Sequence, residues 1–210
     1  MNYKKIEHLI DDPVGYYDKY FVTDGVFQNR EHQRDILRLC HNDITFNSVL
    51  TFRRDGTSII LALLAIRQLL IPNQNIMYID TISRASEHFF RQVMDVLRLE
   101  SLIDIKKSFK YNLSNKSITV NINNSMLRTL SVNEYNHNVP LMIFDKLRGI
   151  RTDLLIFSNY KPYAGMTQNV AFHNLGILNT IVTTEDHGTY INLQKIAHAK
   201  SENINPAIHI

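Results

Sequence analysis

The chain has 210 residues and a formal net charge of +3, and 44% of it is apolar. That suffices for one α/β domain with a full core and is too apolar for intrinsic disorder. The mild positive charge permits contact with nucleic acid but does not argue for it, because DNA binders cluster their charge more densely.

In chain order, "DDPVGYYDKYF" reads as a helix start, with Asp caps and Pro near the first turn. "REHQRDILRLCH" places Ile36, Leu37 and Cys40 at helical spacing and predicts a short amphipathic helix. Cys40, the single cysteine, excludes an internal disulfide and a cysteine-based zinc site, and reads as a small buried thiol. "DITFNSVLTF" is β-branched and apolar and predicts a buried strand. Gly56 ends it, and "TSIILALLAIRQLLI" follows as a helix apolar on most sides, hence packed inside the domain. "NIMYID" is the next strand and "TISRASEHFFRQVMDVLRL" the next helix. "IKKSFKYNL", "KSITVNI" and "SMLRTLSV" alternate and predict short, partly antiparallel strands. "TDLLIFSNY" is a buried strand, "YAGMTQNVAFHNLGI" a helix and "LNTIVTTE" a strand. "TYINLQKIAHAK" is a strand or a helix, followed by a polar tail.

Strands alternating with helices predict a mainly parallel sheet covered on both faces, with ligands at the carboxyl ends of the strands. The turn after "SVLTF" is such an end. A phosphate loop turns backbone N–H groups and a helix N-terminus toward an anion, with a Lys for the terminal phosphates and a Ser/Thr for Mg²⁺. "TFRRDGTS" keeps Gly56 for the tight turn and Ser58 at the metal-ligand position, but Thr57 stands where the Lys belongs. Taken alone, these residues read as a bare strand-to-helix turn.

Other chemistry is sparse. The nine histidines form no HxH or HxxxH pair, so His88, His173 and His187 read as surface or hydrogen-bonded residues. "KKSFKY", Lys106 to Tyr111, mixes basic and aromatic residues that could touch a nucleic-acid backbone, but reads rather as a solvated strand face. "MNYKKIEHLIDD" lacks the apolar core of a signal peptide, and "SIILALLAI" is far short of the roughly 20 residues that span a bilayer. A protein that is not secreted and does not enter a membrane is expected.

Seven segments, in order, resemble the N-terminal ATPase domain of the large terminase subunit of tailed phages, the DNA-packaging motor, of the T4-like kind. "DPVGYYDKYF" looks like that family's aromatic N-terminal segment. "REHQRDILRL" is similar to its adenine-side segment, with Gln33 matching and His32 in place of a Tyr. "SVLTFRRDGTS" falls on its arginine-containing phosphate loop, Arg53 at the loop arginine and Arg54 beside it. "NIMYIDTISRASEHFFRQVMDVL" looks like the following strand and helix, and "KSITVNI" like the later hairpin. "KLRGIRTDLLIFSNY" matches the Arg-Gly segment and metal-binding strand, with Arg148 and Arg151 as basic contacts flanking the site. "NTIVTTEDHGTYINL" resembles the strand whose Thr-Thr, here Thr183 and Thr184, couples ATP state to DNA movement.

The resemblance implies a P-loop NTPase-like α/β fold in one unit. Residues 1–40 would form a helical segment with the adenine-side motif, residues 41–200 a degenerate ATPase domain compact with it, and residues 201–210 a polar tail. No nuclease domain is expected before Ile210. The departures fall on the chemistry. Thr57 cannot supply the charge of the missing Lys, and Ser158 and Asn159 replace the acidic pair that holds Mg²⁺ and polarises water. Arg does not replace that Lys, Asp153 lies at the wrong end of its strand, and Glu185 and Asp186 lie at the end of the next strand, where they could in principle face the site.

The implied protein is a catalytically inactive phage relative that acts by binding, in DNA packaging or virion assembly, as regulator or structural component. The alternatives are a weak or partner-activated ATPase and a nucleotide sensor that does not hydrolyse. Gln33, Arg53, Arg54, Gly56, Thr57 and Ser58 would form a vestigial nucleotide site. No cofactor is expected to be required, and ATP and Mg²⁺ would be held only weakly. Terminase, portal or other capsid proteins are the implied partners, with room for DNA and self-association and none for a membrane, in the host cytoplasm or on the virion.

Overall fold

The apolar runs line up as one seven-stranded sheet in the order β1-β7-β6-β2-β5-β4-β3. The computed structural model describes residues 3–21, 31–39, 45–52, 55–80, 83–99, 102–131, 152–158 and 179–203. The strands are β1 (Thr45–Leu50), β2 (Asn75–Asp80), β3 (Phe109–Asn112), β4 (Ser117–Val120), β5 (Ser125–Ser131), β6 (Leu154–Ser158) and β7 (Asn179–Thr184). The five strands β1, β7, β6, β2 and β5 are parallel, and β4 and β3 add an antiparallel edge. Alternating residues at that edge face the core and solvent, as the sequence of β4 predicts.

The helices are α1 (Tyr3–Asp11), α2 (Pro13–Tyr16), a π-helical turn (Tyr17–Phe21), α3 (Glu31–Arg38), α4 (Thr57–Leu70), α5 (Ser83–Val96), α6 (Ile103–Lys106) and α7 (His187–Asn203). α2 starts as its sequence dictates: Asp12 accepts a hydrogen bond from Gly15 N at 2.8 Å and Pro13 opens the helix. α4 is buried along nearly its whole length. Its final carbonyls, of Leu69 and Leu70, accept hydrogen bonds from Asn123 Nδ2 at 2.8 and 3.1 Å, which fixes it against the β4–β5 turn.

Register assigns the two faces of the sheet. Ile76 and Tyr78 of β2, Leu154 and Ile156 of β6 and Ile181 of β7 lie in one row system and join α4 and α5 in the main core. Phe89 of α5 stacks on Tyr78 with centroids 3.7 Å apart. Met77, Ile79, Leu155, Phe157 and Val182 are buried on the opposite face. There α7 packs along β1, with Gln194 donating to Ser48 Oγ at 2.7 Å.

The mainly parallel sheet with helices on both faces agrees with the sequence reading. Four local differences have physical reasons. α1 goes unread because its apolar positions, Ile6, Leu9 and Ile10, are few and set among charges. Lys106 and Lys107 do not extend β3, because a short helix ends there and the strand starts at Phe109. β5, taken with the antiparallel group, also pairs parallel with β2, so it joins the two halves of the sheet. "TYINLQKIAHAK" is helical, and α7 continues to Asn203, beyond the expected start of the tail at residue 201. Cys40 and the helix expected from "YAGMTQNVAFHNLGI" lie outside the described residues. Among the described residues no helix is long and apolar enough to cross a membrane.

Candidate functional site

The carboxyl ends of β1, β7, β6 and β2 open onto a cavity of about 340 Å³ at the N-terminus of α4. Gly56 makes this corner, because its φ of +79° is a left-handed conformation that side-chain-bearing residues rarely adopt. A β-carbon there would also overlap the Gln33 side-chain nitrogen. Gly56 is the N-cap and α4 begins at Thr57, so Thr57 and Ser58 occupy the helix's first turn and line the cavity.

Opposite that turn runs a polar row. Asp80 is the register partner of Ser158, and Thr183 Oγ1 donates to Ser158 Oγ at 3.4 Å. Thr183, Ser158 and Asp80 therefore follow one another across β7, β6 and β2 on the α4 face. All three are buried, Asp80 completely. Tyr78 Oη donates to Asp80 Oδ2 at 3.0 Å. Burial first, and then the Asp80 charge, push the Tyr78 phenol well above the ordinary tyrosine range.

The charged residues that line the cavity among the described residues are acidic. Asp55, Asp80 and Glu185 line it, with His88 beside them, and the described lining residues include no Lys or Arg. Among the described residues no three His, Cys, Asp or Glu side chains converge as a metal site. Asp186 lies outside the lining and caps α7, accepting from Thr189 N at 2.6 Å. Hydrogen bonds from the Thr189 side chain and backbone hold its carboxyl below the usual range.

The residues singled out in the sequence thus have the following places. Gly56, Thr57, Ser58, Ser158 and Thr183 come together at the cavity. Thr184 is buried beside it, its carbonyl accepting from Thr51 N at 2.9 Å and its hydroxyl from Asp186 N at 3.1 Å. Gln33 is not on the cavity wall. It is buried behind the loop, accepting from the Tyr17 hydroxyl and donating to the Asp55 carbonyl at 2.8 Å. Asp153 is buried at the amino end of β6 and accepts from Asn75 N at 2.8 Å. Arg53, Arg54, Arg148, Arg151 and Asn159 lie outside the described residues. Sequence reasoning missed Asp80, although a lone acid closing the apolar strand "NIMYID" at its carboxyl end is a legible signal.

Comparison with solved structures finds this architecture in phage large terminases. HK97 bacteriophage large terminase matches with a TM-score of 0.57 and 13% identity, over 84% of this chain and 38% of that one. The chain has the fold of a terminase ATPase domain. The ATPase domain of the Thermus phage P74-26 large terminase matches with a TM-score of 0.51 and 16% identity, over 77% of this chain and 66% of that one. An arginine-to-alanine mutant of that domain gives 0.53, 16%, 77% and 67%. At these identities the likeness is one of fold, and the chain spans well under half of the HK97 protein's length. By sequence, no family model and no curated protein matches the chain.

Proposed function

We propose that this protein is a non-hydrolysing relative of the terminase ATPase domain that acts by binding in phage DNA packaging or virion assembly. The observation that carries the reading is the convergence of Thr57 and Ser158 on one cavity. Two departures far apart in the sequence fall at one place in the fold, where a phosphate-transfer site needs a cation for the phosphates and a carboxylate for the metal. Threonine and serine offer only neutral oxygens, and the described wall adds acids without a Lys or Arg. The terminase-like fold supplies the packaging context. The purified chain, sedimented with the large terminase, the portal protein and the DNA of the same phage, is expected to travel with at least one of them. Migration alone in every mixture would sink the binding role.

Asp80 favours a second reading, a weak or partner-activated ATPase, because it puts a buried carboxylate one strand away from the lost acidic pair. Under that reading, the cognate terminase added to this chain hydrolyses ATP faster than the sum of the two alone. An additive rate removes it.

A further inference from the structure

The start of α4 already holds an anion. The Asp55 carboxylate accepts from Phe52 N at 2.8 Å and from Thr57 N at 2.9 Å, one donor on each side of the turn. A loop open to phosphate directs such N–H groups at its ligand; here a carboxylate of the same turn takes two of them. The turn is braced from behind, where the Asp55 carbonyl accepts from Gln33 Nε2 at 2.8 Å and meets His32 Nε2 at 2.9 Å. Gln33 in turn is held by the Tyr17 hydroxyl. A second observation lies on the same cavity wall. Thr57 Oγ1 is buried, the residue being 5% exposed, and has no hydrogen-bond partner among the described residues. Buried hydroxyls are nearly always paired, so the wall keeps an unused polar group beside donors that the carboxylate occupies.

We propose that Asp55 is the specificity-determining residue of this loop, an internal anion that keeps phosphate groups out of it. An incoming phosphate must displace the carboxylate from both N–H groups and then lie beside its charge, where like charges repel. Glu185 lies on the same wall. Removing the Asp55 charge leaves backbone donors at the positive end of a buried 14-residue helix, with the Thr57 hydroxyl next to them. The inference rests on the reading of this cavity as an altered phosphate site, and it names the residue that excludes the ligand.

The test is calorimetric titration of pyrophosphate, with and without Mg²⁺, into the full chain and into Asp55→Asn. Asp55→Ser serves as a second variant, because it keeps a short capping oxygen without charge. Thermal melts of both variants establish which of them fold. Pyrophosphate is expected to bind the folded charge-free variant roughly tenfold or more tighter than the wild type. Equal binding by wild type and variant, or binding by neither, makes Asp55 only a brace of the turn and overturns the proposal. That result leaves the non-hydrolysing reading intact. ATP turnover by the wild type would remove that reading whatever pyrophosphate does.

Discussion

Single residues set the corner on which the site depends. Gly56 is required twice over, by its left-handed φ and by the Gln33 amide behind it. Gly56→Ala is expected to cost about 1–2 kcal/mol from backbone strain alone, with more from the overlap, read as a lower urea midpoint. Gln33→Ala removes a buried side chain that links Tyr17 to the loop, and is expected to cost about 1–3 kcal/mol in the same assay. An unchanged midpoint in either variant would contradict the bracing role. Asp186 makes a pH-dependent contribution. Its folded-state pKa is depressed, so its stabilisation of the start of α7 is present above the ordinary value of 3.8 and lost as pH falls through the folded value. The difference in melting temperature between wild type and Asp186→Asn should therefore be largest near neutrality and shrink in acid. A difference that does not change with pH would show that the charge at Asp186 contributes nothing.

At the level of elements, α4 holds the cavity and the core together. Leu63 and Leu64 are buried in the middle of it, and Leu63→Ala is expected to cost about 2–5 kcal/mol in equilibrium unfolding. A loss below about 1 kcal/mol would mean that α4 is not packed as described. This helix was the most legible part of the sequence, because an apolar run of that length has no other stable place in a domain of this size. β2, β6 and β7 were legible for a similar reason, as short apolar runs ending in polar residues. α7 was ambiguous because its apolar residues keep no single face over its length, so tertiary packing against β1 decides it. Asp80 was not read as a site residue because its meaning depends on a neighbour, Ser158, that only strand pairing brings alongside. The role of Asp55 was similarly hidden, since "RRDGTS" shows the acid but not the two N–H groups that it takes.

Taken as a whole molecule, the sheet gathers Thr57, Asp80, Ser158 and Thr183 from four distant stretches of chain onto one cavity. Its described wall is acidic and rich in hydroxyls. We propose that the fold persists while hydrolysis does not. Steady-state phosphate release from Mg²⁺-ATP by the purified chain, measured beside Ser58→Ala, tests it most directly. Release at the same background level from both proteins is expected. Sustained turnover by the wild type that Ser58→Ala abolishes would contradict it.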